Sequence, residues 1–242
     1  METVLCFDFG NTRLKCGVFI DGRLTETRVL VSDEPSVIRP LLDEYTPDKM
    51  VLASVVHHHP ELETLLRAHG RLHVLSHLSR LPLSTPVGKP ETIGADRLAM
   101  MTAALTRFPG VHLLVIGLGS AITYNYVDKY GEFLGGSISP GMEMRFKSLH
   151  HYTAKLPLVE ADWNYPLIGS DTRTNILSGV LLGMAKEVDG VIGAYQDRYK
   201  GLEVVMTGGD TLFFSTHLTQ PVHIDPDLVF KGLYTIGQWN IM

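Results

Sequence analysis

The sequence predicts an α/β protein built from two similar domains. Its opening stretch FDFGNTRLK, at Phe7–Lys15, returns in altered form as IGLGSAITY at Ile116–Tyr124. A shift that lays Gly10 on Gly119 also lays Asn11 on Ser120, Gly22 on Gly131, Leu5 on Leu114 and Phe7 on Ile116. In both copies an apolar run meets a glycine turn, a second apolar run follows to a hairpin bend, and helical patterns come later. No Pro-, Gly- or Ser-rich linker separates the copies, so the expected domains are 1–109 and 110–242 with a tight junction. One mismatch stands out. Asp8, the acid of the first copy, faces Gly117 in the second.

Val4–Phe9 is apolar up to the Gly-Asn-Thr turn and reads as a buried strand. Leu14–Ile20 is a second strand, closed by Asp21-Gly22, a tight-hairpin signal, and Leu24–Val31 completes a meander. Met50–Val56 is a further buried strand, and Pro60 opens a short helix through Ala68 because proline at the first helical position sacrifices no hydrogen bond. GADRLAMMTAALTRF is a helix rich in Ala, Leu and Met, ended by Pro109-Gly110. The second half repeats the plan with strands at Val111–Ile116 and Ala121–Val127 around the Gly117–Ser120 turn, and a bend at Lys129–Glu132. Helices follow at Gly141–Thr153 and, as one long element, at Thr172–Tyr199. Leu202–Thr207 is a strand stopped by Gly208-Gly209, and Asp227–Gln238 a terminal helix.

With 242 residues, 45% hydrophobic and 19% charged, the chain can bury a substantial core. The start METVLCFDFGN resembles no signal peptide, and no apolar run is long enough to span a bilayer. Two cysteines, Cys6 and Cys16, make no disulfide framework, so a cytoplasmic location is expected. A net charge of −5 argues against a nucleic-acid binder but leaves room for a local phosphate pocket.

A tight turn with exposed backbone N–H groups makes a small anion cradle, and glycine allows close approach. Two such turns at matching positions, facing each other across a cleft, would hold successive phosphates of one nucleotide. Asp8 would hold a hydrated Mg²⁺ there, while Asn11, Thr12 and Lys15 add donors and a positive charge. The plainer reading is two ordinary hairpins of shared ancestry. Asp96, at a helix start, is a candidate acceptor for a hydroxyl proton, with a pKa expected to be lowered by the helix dipole. Arg97 beside it could bind a carboxylate or offset phosphate charge. Against that, both residues could simply cap and decorate the helix.

The pattern Asp-x-Gly-Asn-Thr-x-x-Lys between strand and hairpin resembles the type III pantothenate kinases. So do GADR at Gly94–Arg97, GLGSAIT at Gly117–Thr123, GGSISPG at Gly135–Gly141, SDTRTNILSG at Ser170–Gly179 and TGGD at Thr207–Asp210. The resemblance covers nearly the whole chain. It implies two duplicated ribonuclease H-like domains, the actin-like ATPase fold, and transfer of the ATP γ-phosphate to pantothenate, the first step of coenzyme A synthesis. By position, Asp8, Phe9, Gly10, Asn11, Thr12, Arg13, Leu14, Lys15 and Ser120 would bind ATP. Gly94, Ala95, Asp96, Arg97 and Thr172 would bind pantothenate, with Asp96 catalytic. The resemblance further implies Mg²⁺, a monovalent cation (K⁺ or NH₄⁺) and a homodimer.

Relatives usually carry an acid in the second copy, associated with that cation; Gly117 lacks it, and Val87 falls where relatives have a substrate-facing tyrosine. The expected function is a pantothenate kinase with altered potassium dependence. Alternatives are a weakened relative acting as a regulatory protein, or a kinase for another alcohol. His57-His58-His59 reads as a surface loop, because consecutive side chains diverge; no metal-ligating protein set is expected. His150-His151, Met100-Met101 and the cysteines read as structural.

Overall fold

The computed structural model describes residues 1–241. They form two compact units. The first holds Met1–Gly110, the segment Val127–Leu134 and the chain from Asp227 onward; the second holds Val111–Tyr126 and Gly135–Pro226.

In the first unit, β1 (Thr3–Phe9), β2 (Leu14–Ile20), β3 (Arg23–Leu30), β4 (Lys49–Ser54) and β5 (Arg71–Val74) form one sheet in the order β3-β2-β1-β4-β5. β1 runs antiparallel to β2 and parallel to β4, and β5 is parallel to β4. The β2–β3 hairpin turns at Asp21 (φ 47°) and Gly22 (φ 80°), both left-handed, as a two-residue reversal between twisted strands requires. Side chains alternate along β1. Leu5, Phe7 and Phe9 enter a core with Ile38, Leu42, Leu62 and Leu66 from α1 (Pro35–Tyr45) and α2 (Leu62–His69), so Asp8 lies on the opposite face.

That opposite face belongs to α3 (Ala95–Arg107) and the terminal α8 (Leu228–Asn240), which pack closely on each other. Glycine makes the approach possible: a Cβ on Gly232 would lie 1.9 Å from the Ala99 carbonyl oxygen. The start of α3 is thereby fixed near the carboxyl ends of the parallel strands. α1 has no counterpart in the sequence reading, since Pro35 and the interior Pro40 disguise its helical pattern.

The second unit repeats the strand order. β6 (Leu113–Leu118), β7 (Ala121–Val127), β8 (Phe133–Pro140), β9 (Glu203–Thr207) and β10 (His223–Ile224) lie in the order β8-β7-β6-β9-β10. One face buries Leu114, Ile116 and Leu118 against α4 (Met142–His151), α5 (Thr172–Leu177), α6 (Gly183–Arg198) and α7 (Thr211–Ser215). The single long helix expected at Thr172–Tyr199 is instead α5 and α6 joined by a π-helical turn at Ser178–Leu182. Gly179 within that turn and Gly183 after it lower the cost of the wider winding. Among the described residues no helix is long and apolar enough to cross a membrane.

Candidate functional site

In the first unit the turn Gly10–Arg13 joins β1 to β2 and is closed by a hydrogen bond from the Gly10 N–H to the Arg13 carbonyl (3.1 Å). Asn11, Thr12 and Arg13 are exposed at its tip. A Cβ on Gly10 would meet only the Arg13 carbonyl oxygen, at 3.4 Å, an ordinary contact. Packing within the protein therefore makes little demand for glycine here, and the space beside it is open to a ligand. The candidate ATP residues divide by environment. Phe9 is fully buried, so only its backbone can face a nucleotide, while Leu14 is half-buried against the same core.

Asp8 and Lys15 are direct partners across β1 and β2. Burial pushes the Asp8 carboxyl up to about 6; repulsion from Asp96 adds to the rise and Lys15 opposes it. The candidate phosphate turn and the start of α3 thus share one electrostatic neighbourhood. Asp96 accepts a hydrogen bond from the Arg97 N–H (2.9 Å). Its carboxylate folds back over residue 94, where a Cβ would sit 2.6 Å from Oδ1, which accounts for the glycine of Gly-Ala-Asp-Arg.

The expectation that the helix dipole lowers the Asp96 pKa is corrected by the structure. Burial raises it, and the hydrogen bond from Arg97 and the Arg97 charge only partly offset the rise. A half-buried carboxylate at this helix start loses more hydration than the N–H groups return. Arg97 extends over the Phe133 ring, 5.5 Å from its centroid, and burial lowers its pKa. Ala95 turns into the core beside Gly94.

Ser120 and Thr172 belong to the second unit. Ser120 ends the turn between β6 and β7, where the Gly119 N–H donates to the Ala121 carbonyl (3.1 Å). A Cβ on Gly119 would meet nothing within 4 Å, so this glycine too leaves open space. Two other segments pack on the turn through backbone. A Cβ on Gly141, just before α4, would lie 2.0 Å from the Gly119 carbonyl oxygen, and one on Gly208 would lie 2.1 Å from that of Leu118. The Gly141 N–H donates to Ser120, and the Asp210 N–H to Leu118. Arg145 of α4 pairs with Glu187 of α6 and donates to Ser139, tying α4 in place. Gly141, Gly208 and Asp210 were legible as motif residues, but their work as supports of the turn appears only in three dimensions.

Thr172 is exposed on the first turn of α5, after an Asp171–Thr174 capping box. Gly117 pairs with Thr207 across β6 and β9. The Thr207 hydroxyl is buried and finds no hydrogen-bond partner among the described residues. His58 pairs with Glu63 (3.3 Å), and His150 lies in the last turn of α4 with its Nδ1 2.8 Å from the Leu156 carbonyl oxygen. Val87 is half-buried in the irregular segment before α3.

A family model described as type III pantothenate kinase matches residues 4–194. The chain is 36% identical over 239 residues to a type III pantothenate kinase of Cytophaga hutchinsonii, covering 98% of this chain and 99% of that one. It is 37% identical over 238 residues to one of Christiangramia forsetii, covering 98% of each. Among solved structures it is similar to an inorganic polyphosphate/ATP-glucomannokinase from Arthrobacter sp. strain KM. The TM-score is 0.50 with 13% identity, covering 98% of this chain and 99% of that one. The expected fold class, a duplicated two-domain actin-like ATPase fold, is borne out.

Proposed function

The chain belongs to the type III pantothenate kinase family, and we infer that it phosphorylates pantothenate with ATP, the first step of coenzyme A synthesis. The observation that best supports a kinase site is the placement of Asp8 opposite Lys15, just before an open glycine turn, in the same unit as Asp96. In this reading the backbone of Gly10–Arg13, with Asn11, Thr12 and Lys15, binds phosphate oxygens of ATP. Ser120 supplies a further hydroxyl from the second turn.

Asp96 receives the proton of the pantothenate hydroxyl as its oxygen bonds to the γ-phosphorus and the bond to ADP breaks. Its raised pKa suits that task, because a carboxylate that resists ionisation accepts a proton more readily. Arg97, beside the acceptor, offsets charge on the transferred group. Gly94 leaves room for the folded-back carboxylate, and Thr172 adds a polar contact to pantothenate.

The donor set fits Mg²⁺. Asp8 is an oxygen ligand whose ionised form is disfavoured by burial and by a second acid, and a dication relieves both. When bound, Mg²⁺ neutralises phosphate charge. The second turn has no acid at the position matching Asp8: Gly117 has no side chain, and its strand partner Thr207 offers only a neutral hydroxyl. The exposed apolar side chains Tyr152, Leu158, Leu167 and Ile168 support a homodimer, which light scattering would detect. ADP release coupled to a reporter, with ATP and Mg²⁺, should depend on added pantothenate. Absence of that dependence would end the reading.

A further inference from the structure

The segment Val127–Leu134, which links β7 to β8, belongs to the first unit and packs beside α3. It turns at Gly131, whose φ of 81° suits a glycine, and a Cβ there would lie 3.3 Å from Leu105 Cδ2. Arg97, Met101 and Leu105 recur at every fourth residue of α3, so they share one face of the helix. The segment therefore follows that face from Leu105 towards the end that bears Asp96. There the Arg97 guanidinium lies over the Phe133 ring, 5.5 Å from its centroid.

The backbone on both sides of that ring is braced. The Phe133 N–H donates to the Ser84 carbonyl (2.8 Å) and the Ser84 N–H to the Gly131 carbonyl (2.9 Å), a short parallel bridge between Ser84 and Glu132. The Asp128 carboxylate, itself buried, accepts from the Tyr130 and Glu132 N–H groups (2.9 Å each). The Asp128 N–H donates in turn to the Glu132 carbonyl (3.0 Å). These bonds satisfy the chain around a side chain that is only 2% exposed, with Leu83 buried next to Ser84. The ring under Arg97 is thus fixed by the fold.

We propose that Phe133 is a positioning residue for phosphoryl transfer: its ring face seats the Arg97 guanidinium beside Asp96, where it offsets charge on the transferred group. The proposal rests on the kinase reading, in which Arg97 has that task. An arginine side chain has many rotamers, and holding one of them costs entropy unless a neighbour orders it. A carboxylate could order it, but would neutralise charge that the phosphoryl group needs. An aromatic face attracts the cation through its quadrupole and does not consume the in-plane N–H donors. Arg97 is half-buried, and a guanidinium partly stripped of water gains more from such a face than an exposed one. An aliphatic side chain at 133 would fill the space without that attraction.

The test replaces Phe133 in the full-length protein with difluoro- and pentafluorophenylalanine, which weaken the negative ring face stepwise at nearly constant shape. Turnover should fall in that order, by about five-fold for the pentafluoro ring, the scale of a partly desolvated cation–π contact. The KM for ATP should hold, since the contact serves the transition state. In an Arg97→Met background the same fluorination should leave kcat where it stands. Melting temperatures of the four proteins complete the cycle without activity: fluorination should be less favourable with arginine at 97 than in Arg97→Met. A kcat indifferent to fluorination, or equal melting shifts with and without Arg97, would reduce Phe133 to core packing and overturn the proposal, while pantothenate-dependent ADP release by the unmodified protein keeps the kinase reading. A wild type without that release overturns both.

Discussion

The two glycine turns have diverged in how they are held and in what they carry. The first is closed by one backbone hydrogen bond and sits among charged groups, with Asp8 before it, Lys15 opposite and Asp96 near enough to raise the Asp8 pKa. The second has Gly117 where the first has its acid, and it rests on backbone supports, the Gly141 segment on Gly119 and Ser120 and the Gly208 segment on Leu118. Both keep an open α-carbon at the matching glycines, Gly10 and Gly119. The space beside the turn is common to both copies, and its surroundings differ. One copy carries charge at Asp8 and Lys15; the matching positions of the other, Gly117 and Tyr124, carry none.

If charge is concentrated in the first copy, Asp96→Asn should have the largest effect. Turnover should fall at least about 100-fold, the usual scale for losing a general base. ATP binding, followed by calorimetry, should survive. Unchanged turnover would remove Asp96 from the chemistry and the charged half of the comparison with it.

Shape in the second copy is tested by two glycines. Gly208→Ala places a Cβ 2.1 Å from a backbone carbonyl at a residue with φ +110°, so it should destabilise by about 3 kcal/mol in denaturant melts. Gly119→Ala meets nothing within 4 Å and should leave stability within about 1 kcal/mol while weakening ATP binding. Equal stability losses in both variants would erase the distinction between a packed glycine and an open one.

A smaller effect belongs to the unliganded first turn. The folded Asp8 pKa of about 6 exceeds its ordinary 3.8, so the native state binds more protons between those values. The stability it contributes is full below about pH 4 and is lost as pH rises through 6. Asp8→Asn should therefore stabilise the ligand-free protein at pH 7 by about 1–3 kcal/mol, from roughly 1.4 kcal/mol per pKa unit less solvent screening. It should also flatten melting temperature against pH over that window while impairing catalysis. A destabilised Asp8→Asn variant at pH 7 would show that Asp8 is held by structural contacts.

Much of this was legible from residue types. The repeat placed both turns, because strand alternation and glycine spacing are local signals, and the two sheets share one strand order. Asp21-Gly22 announced its hairpin for the same reason. What escaped depends on partners distant in sequence. The Asp96 pKa moved against its local helix dipole because burial is set by the surrounding fold. Phe9 and Leu14 sit in the ATP motif yet serve the core, which a linear pattern cannot separate. The π-turn at Ser178–Leu182 hid inside an uninterrupted helical signal.

The finest test concerns the missing acid itself. In the first unit Asp8 is paired across β1 and β4 with Ala53, a residue without polar side-chain atoms. The matching pair in the second unit is Gly117 and Thr207, so polarity has crossed from one strand to its neighbour and has changed from an anion to a hydroxyl. A neutral hydroxyl donates or accepts but cannot offset a cation's charge. Gly117→Asp introduces a carboxylate beside a buried hydroxyl that has no hydrogen-bond partner among the described residues. In that variant, turnover should gain a response to potassium of a few-fold over the wild type, read by titrating KCl against choline chloride at constant ionic strength. A folded variant indifferent to potassium would mean that the acid at this position is not what couples the second turn to a monovalent cation.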